Sequence, residues 1–487
     1  MWFFIVYIKT LYEINIYFYT HINGELMYEL TELDYRNRDN VKNNGEVFTP
    51  FAIVDKMLDM IPDIIWRDAS YTFLEPTCGN GQFLVKIAQK RLLNGISVDD
   101  TVRTLIGFDI SDTNINDCIK RLKSLINDDS YDSILAKNIR IVTDSLTEIS
   151  NCKTGLLSEL ISNYDKLIVI GNPPYSISDH DDGNSSYPIY NKYVENIIDC
   201  LNPEYFTFIT PSRWMVGGKG LEEYRLRMMS DTRIKELHHF GGLRSVFSSV
   251  VIPGGVSYFL YNRDYKGKCL IHSNDTVMSR YLNEYDDVIL IDNNAVDILN
   301  NVQCVMLDSI ESKCYAISVF GLCTNFDKFS DSGLKCLLHG DTYGTKEFKY
   351  VDPMYVKDKP KIVSKWKVCT AAVNGGARNE SNKGTKRMFG DILILHPNEV
   401  ATYTYLVVAA FDSELEAINF VSYMKTKFFR FMLGLRVISP TLNKKRFKWV
   451  PDMKNYTKEW TDIELYDMYN LTETHRNYID SKIESMD

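Results

Sequence analysis

Tyr71-Thr-Phe-Leu-Glu-Pro-Thr-Cys-Gly-Asn-Gly-Gln-Phe-Leu-Val85 is the stretch from which the fold is read. A β-rich tetrad leads through Glu75-Pro76 into Gly79-Asn80-Gly81, and an apolar helix follows. Strand, glycine turn, helix is the ligand-binding opening of a doubly wound α/β sheet, because residues without side chains let the backbone approach a ligand. The Gly-Lys-Ser/Thr of a triphosphate loop is missing, so a nucleoside triphosphate is not expected. A lone Gly-x-Gly is also an ordinary turn, and the neighbouring segments must carry the rest.

They do so on both sides. Upstream, Gly45-Glu-Val-Phe-Thr-Pro50 precedes Phe51–Ile61, whose apolar residues recur at helical spacing; Thr49 is expected to cap that helix and Pro50 to occupy its first position. Downstream, Thr104-Leu-Ile-Gly-Phe-Asp-Ile110 ends a second strand on Asp109, near the spacing at which an acid meets ribose hydroxyls. Ile139-Arg-Ile-Val-Thr-Asp-Ser145 ends a third strand on Asp144, and Lys166-Leu-Ile-Val-Ile-Gly171 runs into Asn172-Pro173-Pro174-Tyr175. Pro-Pro donates no backbone hydrogen bond and has restricted φ, so the Asn172 side-chain oxygen and the Pro173 carbonyl can be held as two fixed acceptors. Such a pair suits a planar amino group. Ser176 to Tyr187, rich in Ser, Asp, Asn and Gly, reads as a flexible loop. Strands at Tyr205–Arg213, Arg233–Phe240 and Gly255–Tyr261 complete a seven-stranded Rossmann-like α/β domain over residues 45–264, with a helix expected from Trp214 to Met229.

The chain has 487 residues, enough for two or three domains, and its 45% hydrophobic and 24% charged content is that of a folded globular protein. Its formal net charge of -9 argues against indiscriminate binding of polyanions. Ten Cys form no Cys-x-x-Cys pair, and the eight His show no ligand spacing beyond the adjacent His238-His239. We therefore expect reduced thiols, a cytoplasmic setting and no metal. Residues 1–26 are apolar but interrupted by Lys9, Glu13 and Asn15, which fits neither a signal peptide nor a membrane span. The expectation is a dispensable arm within residues 1–44, with Met27 as the working start.

Beyond residue 265 the pattern is mixed α+β without a repeat. Lys357 to Val450 holds 17 Lys/Arg against 7 Asp/Glu, a local footprint able to neutralise phosphates. Trp366, Phe389, Phe428, Phe429, Phe447 and Trp449 are interleaved with it, and Asn443-Lys444-Lys445-Arg446-Phe-Lys-Trp449 is among its densest pieces.

In order and in content, these motifs resemble the gamma-ordered amino-group DNA methyltransferases that modify N6 of adenine, over about residues 45–262. The resemblance implies S-adenosylmethionine as cofactor, a seven-stranded catalytic domain, and a target-recognition domain over 265–487. Phe48, Thr49, Pro50, Glu75, Thr77, Gly79 and Gly81 would then hold the methionine part of the cofactor. Asp109 with Ile110 would hold its ribose, Asp144 with Ser145 its adenine, and Asn172 would adjoin both sites. It implies double-stranded DNA as partner, with a cognate restriction endonuclease left open. Asn172, Pro173, Pro174 and Tyr175 would be catalytic, Tyr175 stacking on an adenine turned out of the duplex. A second ring is expected from the last strand, at Phe259 or Tyr261, and Lys444, Lys445 and Arg446 would meet the DNA.

Rival readings remain at this level. The tetrapeptide also occurs in methyltransferases of protein glutamine and of RNA. A bifunctional restriction enzyme would need a nuclease domain, for which the 44 residues before Gly45 leave little room, and Asp341 with Glu347 and Lys349 only loosely imitates a metal nuclease site. A binding-only relic of the fold is opposed by the intact Asn-Pro-Pro-Tyr and both acids.

Overall fold

A computed structural model describes residues 48–486 apart from 179–185, 219, 242–245, 248–251, 253, 274, 286, 340–344, 374–384 and 438–440. The expected arm, the Met27 start and Gly45 to Val47 lie outside the described residues. The chain divides into two compact units: one reaches His272 and includes Ser279–Leu282, and the other takes Ser273–Met278 and continues from Asn283.

Up to residue 280 the strands are β1 (Thr72–Glu75), β2 (Leu105–Asp109), β3 (Ile139–Ile141), β4 (Leu167–Gly171), β5 (Ser176–Ser178), β6 (Ser186–Pro188), β7 (Tyr205–Pro211), β8 (Ile234–Phe240), β9 (Val256–Asn262) and β10 (Cys269–Ser273), with β11 (Thr276–Arg280) crossing the division. Nine of them form one sheet in the order β11-β10-β8-β9-β7-β4-β1-β2-β3, and β5 pairs with β6 separately. The seven expected strands are there, extended by β10 and β11. From β3 to β7 the pairings are parallel, whereas β9 lies antiparallel to β7 and β8. β1 and β4 are buried along their whole length, as expected of strands with helices on both faces. The chain order reverses between β1 and β4, which lie side by side, so their carboxyl ends open onto one crevice. That crevice receives the glycine turn from one strand and Asn172 to Tyr175 from the other.

Some local expectations change. The helix Phe51–Asp59 starts from Pro50, which stands at the cap position with no side-chain cap. The Pro50 carbonyl accepts from the backbone N–H of Ile53 and Val54 at 2.9 and 3.0 Å, and Thr49 is not used as a cap. Trp214 to Met229 is not one helix: a 3-10 turn, Ser212–Met215, is separated by Gly217 and Gly218, both at positive φ, from the helix Glu222–Ser230. The loop after Tyr175 has paired ends in β5 and β6.

The second unit is mixed α+β. Strands β12 (Phe329–Ser330), β13 (Leu334–His339), β14 (Lys346–Val351), β15 (Trp366–Ala371), β16 (Ile392–Leu395), β17 (Glu399–Ala401) and β18 (Tyr405–Phe411) form sheets β12-β14-β13-β17 and β16-β15-β18. The helices Glu414–Lys425 and Lys427–Gly434 follow. Phe389, Phe428, Phe429, Phe447 and Trp449, interleaved with the basic residues in sequence, are buried core residues.

Candidate active site

The crevice holds a pocket lined by residues from six separated stretches. Phe48 and Thr49 come from before the first helix, Glu75 to Gly79 with Gln82 and Phe83 from after β1, and Asp109 and Ile110 from after β2. Ser145 and Tyr193 complete one wall, and Asn172, Pro173, Pro174 and Tyr175 the other. Cys78, Gln82, Phe83 and Tyr193 are additions to the expected set. Tyr193 arrives through a 2.8 Å hydrogen bond between its hydroxyl and that of Ser145.

The glycine turn is shaped by close approach. Gly79 has φ +51°, and a Cβ there would stand 3.0 Å from the Phe48 ring; Gly81 has φ +85°, and a Cβ there would meet Cys118 Sγ at 2.5 Å. Gly81 does not line the pocket; it starts the helix Gln82–Leu93 from a left-handed conformation. Asp109 ties the turn to β2. One carboxylate oxygen accepts from the Gly79 N–H at 2.9 Å, the other from the Ser111 N–H at 2.8 Å and the Asn114 side chain at 2.9 Å. The backbone is also closed by Cys78 N–H donating to the Phe108 carbonyl at 2.7 Å.

Glu75 is 2% exposed, and its Oε2 is buried without a hydrogen-bond partner. Burial, reinforced by Cys118 and Asp109, holds its carboxyl well above the ordinary carboxylate range. The Thr49 hydroxyl is likewise buried and unpartnered. Two unsatisfied polar groups beside an opening are costly unless something occupies it, roughly 1–3 kcal/mol each.

Asp144 is not in the lining. Its carboxylate is consumed as a helix cap, accepting from Leu146 N–H at 3.0 Å and the Thr147 hydroxyl at 2.7 Å, while the next residue, Ser145, faces the pocket. Pro50 also stays outside, as the start of its helix.

On the opposite wall, the Thr77 hydroxyl donates to the Asn172 carbonyl at 3.3 Å, linking the two loops. The Tyr175 ring meets Tyr190 and Phe247 edge-to-face, each with centroids 6.5 Å away. Phe259 and Tyr261, the expected second rings, are 1% and 0% exposed. Both pack on Phe206, at 5.2 and 6.4 Å, and the Arg233 guanidinium covers Tyr261. They are core side chains of β9; the rings beside Tyr175 are Tyr190 and Phe247, the latter from the connection between β8 and β9.

In the second unit, Lys444 and Lys445 are exposed, whereas Arg446 is 6% exposed and donates to the Arg436 carbonyl at 2.8 Å. Lys367, Arg430 and Arg436 are also buried. The Lys367 ammonium donates to the carbonyls of Val363, Lys365 and His396, and burial lowers its pKa to about 8. Part of the basic excess therefore serves backbone carbonyls inside the unit. Asp341 lies outside the described residues, and Glu347 instead pairs with Lys349 at 3.6 Å. Among the described residues no helix is long and apolar enough to cross a membrane.

Residues 82–247 match the Eco57I restriction-modification methylase family. An uncharacterised adenine-specific methylase of Mycoplasma pneumoniae is 27% identical over 301 residues, covering 48% of this chain and 71% of that protein. Among solved structures, the type IIL restriction-modification enzyme MmeI in complex with DNA is 12% identical with a TM-score of 0.51, covering 92% of this chain and 75% of that one. A nuclease-deletion mutant of the type ISP enzyme LlaGI, bound to a DNA substrate mimic, is also 12% identical with a TM-score of 0.51, over 89% of this chain and 47% of that one. The chain spans about half the length of the modification subunit of a putative type I restriction enzyme from Vibrio vulnificus YJ016, at 13% identity, a TM-score of 0.34, and coverage of 49% of each chain. The chain thus resembles restriction-modification adenine methylases in sequence and has their mostly parallel α/β fold.

Proposed function

We propose that the protein transfers a methyl group from S-adenosylmethionine to the N6 amino group of an adenine turned out of a specific double-stranded DNA sequence. One observation carries this reading: a single pocket is lined by Glu75, Asp109 and Asn172 to Tyr175 together. The buried, unpartnered Glu75 and Thr49 oxygens and the Gly79 cradle under Phe48 suit a cofactor with a cationic amino acid end. When bound, S-adenosylmethionine supplies an electrophilic methyl group on sulfur.

The protein's part is positioning and charge. Glu75 would meet the cofactor's ammonium group, and Asp109, placed beside Ile110 and already fixed by three donors, would face its ribose. Across the crevice, the Asn172 side-chain oxygen and the Pro173 carbonyl accept the two N6 hydrogens of adenine, which draws the nitrogen lone pair out of ring conjugation and toward the methyl group. The new bond from N6 to the methyl carbon would be balanced by loss of the donor's carbon–sulfur bond, with its electron pair left on the donor, and one N6 proton would pass to solvent. No strong base is needed, since preorganised acceptors do the work. Tyr175 and Phe247 would stack on the adenine. Stacking of this kind is worth about 1–3 kcal/mol per base, which offsets part of the unstacking cost.

The test is incubation of the purified chain with tritium-labelled S-adenosylmethionine and, in parallel, unmethylated double-stranded DNA, RNA or protein, then hydrolysis to nucleosides or amino acids. Label in N6-methyladenine supports the reading. Label confined to RNA or to protein glutamine, or none in any substrate, refutes it.

A further inference from the structure

Three potential ligands come together away from the pocket. Glu236 and His238, two residues apart on β8, project from the same face of the sheet. His272 lies on β10, the strand next to β8. Glu236 Oε2 is 3.4 Å from His238 Nε2 and 3.7 Å from His272 Nε2, and one donor atom from each residue falls within 4.8 Å of the others. A tetrahedral zinc ion with bonds of about 2.0–2.1 Å holds its donors about 3.3–3.4 Å apart, so two of these separations are close to the edge of its coordination polyhedron.

We propose that Glu236, His238 and His272 bind one zinc ion, with water in the fourth position, and that this ion clasps β10 to β8. The His272 Nε2 is buried and makes no hydrogen bond, a cost that a metal bond removes. Tyr258 stacks on His238 at 4.6 Å and His238 on His272 at 3.8 Å, which brings both imidazoles beside Glu236. The two imidazoles lie within 12° of parallel. Convergence of both lone pairs needs a tilt about χ2, a torsion with a broad energy well. Two imidazoles and a carboxylate favour zinc over calcium or magnesium, which take oxygen ligands. The sequence hid the set because its members lie on adjacent strands, and the adjacent pair His238-His239 splits: the His239 ring turns to the Ser212 hydroxyl at 2.9 Å.

The experiment uses the full chain without a histidine tag, stripped of metal and dialysed against zinc. One zinc per wild-type chain is expected. In H238Q and in H272Q affinity should fall at least tenfold, while H239Q retains it. Zinc should also raise the melting temperature of the wild type and of H239Q, but not of the other two. No stoichiometric binding, or equal binding by all four proteins, overturns the proposal. If either ligand variant fails to fold, X-ray absorption of the wild-type zinc complex decides. Two imidazoles in the coordination shell uphold the site, whereas a thiolate shell overturns it.

Discussion

Replacing Phe247 and Phe259 by leucine separates the two candidates for the ring opposite Tyr175. Both side chains are buried, at 4% and 1% exposure, so Leu removes a ring from each while keeping most of the apolar volume; such a swap costs roughly 1 kcal/mol of stability. The matched cost makes function the discriminating readout. Phe247 is 6.5 Å from Tyr175, whereas Phe259 packs at 5.2 Å on Phe206 within the sheet. Losing a base-stacking ring is worth about 1–3 kcal/mol, or roughly 5- to 150-fold in the population of extruded adenine. A duplex carrying 2-aminopurine at the target position reports that population by fluorescence. Phe247→Leu should quench most of the enhancement and slow methyl transfer by a similar factor, while Phe259→Leu lowers the melting temperature and leaves fluorescence near wild type. The reverse pattern, with Phe259→Leu silent in melting and defective in base extrusion, would refute the placement of the site.

Asn172→Ala should keep cofactor and DNA binding but lose about 100- to 1,000-fold in turnover, by analogy with removing one preorganised polar contact; near-normal turnover in single-cycle kinetics would reject the two-acceptor mechanism. Asp109→Ala should weaken cofactor binding in calorimetry and also lower the melting temperature, because Gly79, Ser111 and Asn114 lose their acceptor. Burial raises the native pKa of Glu75 above its unfolded value. Its protonated form therefore favours the fold below the ordinary carboxylate range, and that contribution is lost as pH rises through the native value. Without cofactor, the melting temperature of Glu75→Gln should fall less than that of wild type across this window, and parallel curves would contradict the assignment. Lys444→Ala and Lys445→Ala should each reduce the salt dependence of DNA binding by about one unit of slope. Arg446→Ala should instead show up as lost stability in denaturant titration.

What the sequence revealed was what is written contiguously. The strand, the glycine turn and Asn172 to Tyr175 are local motifs, and the hydrophobic runs that make β1 and β4 also bring those motifs to one crevice. Asp109 was legible because a polar residue ends an apolar strand. Asp144 fits the same pattern but caps a helix with its carboxylate, and in the folded chain Ser145 is the residue in the lining. Phe247 gave no periodic signal, since it sits in a connection with no strand alternation to orient it, whereas the alternation that singled out Phe259 and Tyr261 is a core signature. The basic count of the second unit could not tell Lys444 and Lys445, which face solvent, from Lys367, Arg430 and Arg446, which are buried.

The 3.3 Å hydrogen bond from the Thr77 hydroxyl to the Asn172 carbonyl gives the two halves of the crevice a shared thermodynamic fate. Filling one half stiffens the loop that shapes the other, so the ligands should bind with positive cooperativity. Linkage then requires symmetry: whatever factor the methyl donor adds to DNA affinity, DNA adds to affinity for the donor. Thr77→Val should shrink both factors equally. On the proposed reading, the protein would hold DNA more loosely when the donor is scarce, and DNA binding and modification would answer to the same supply.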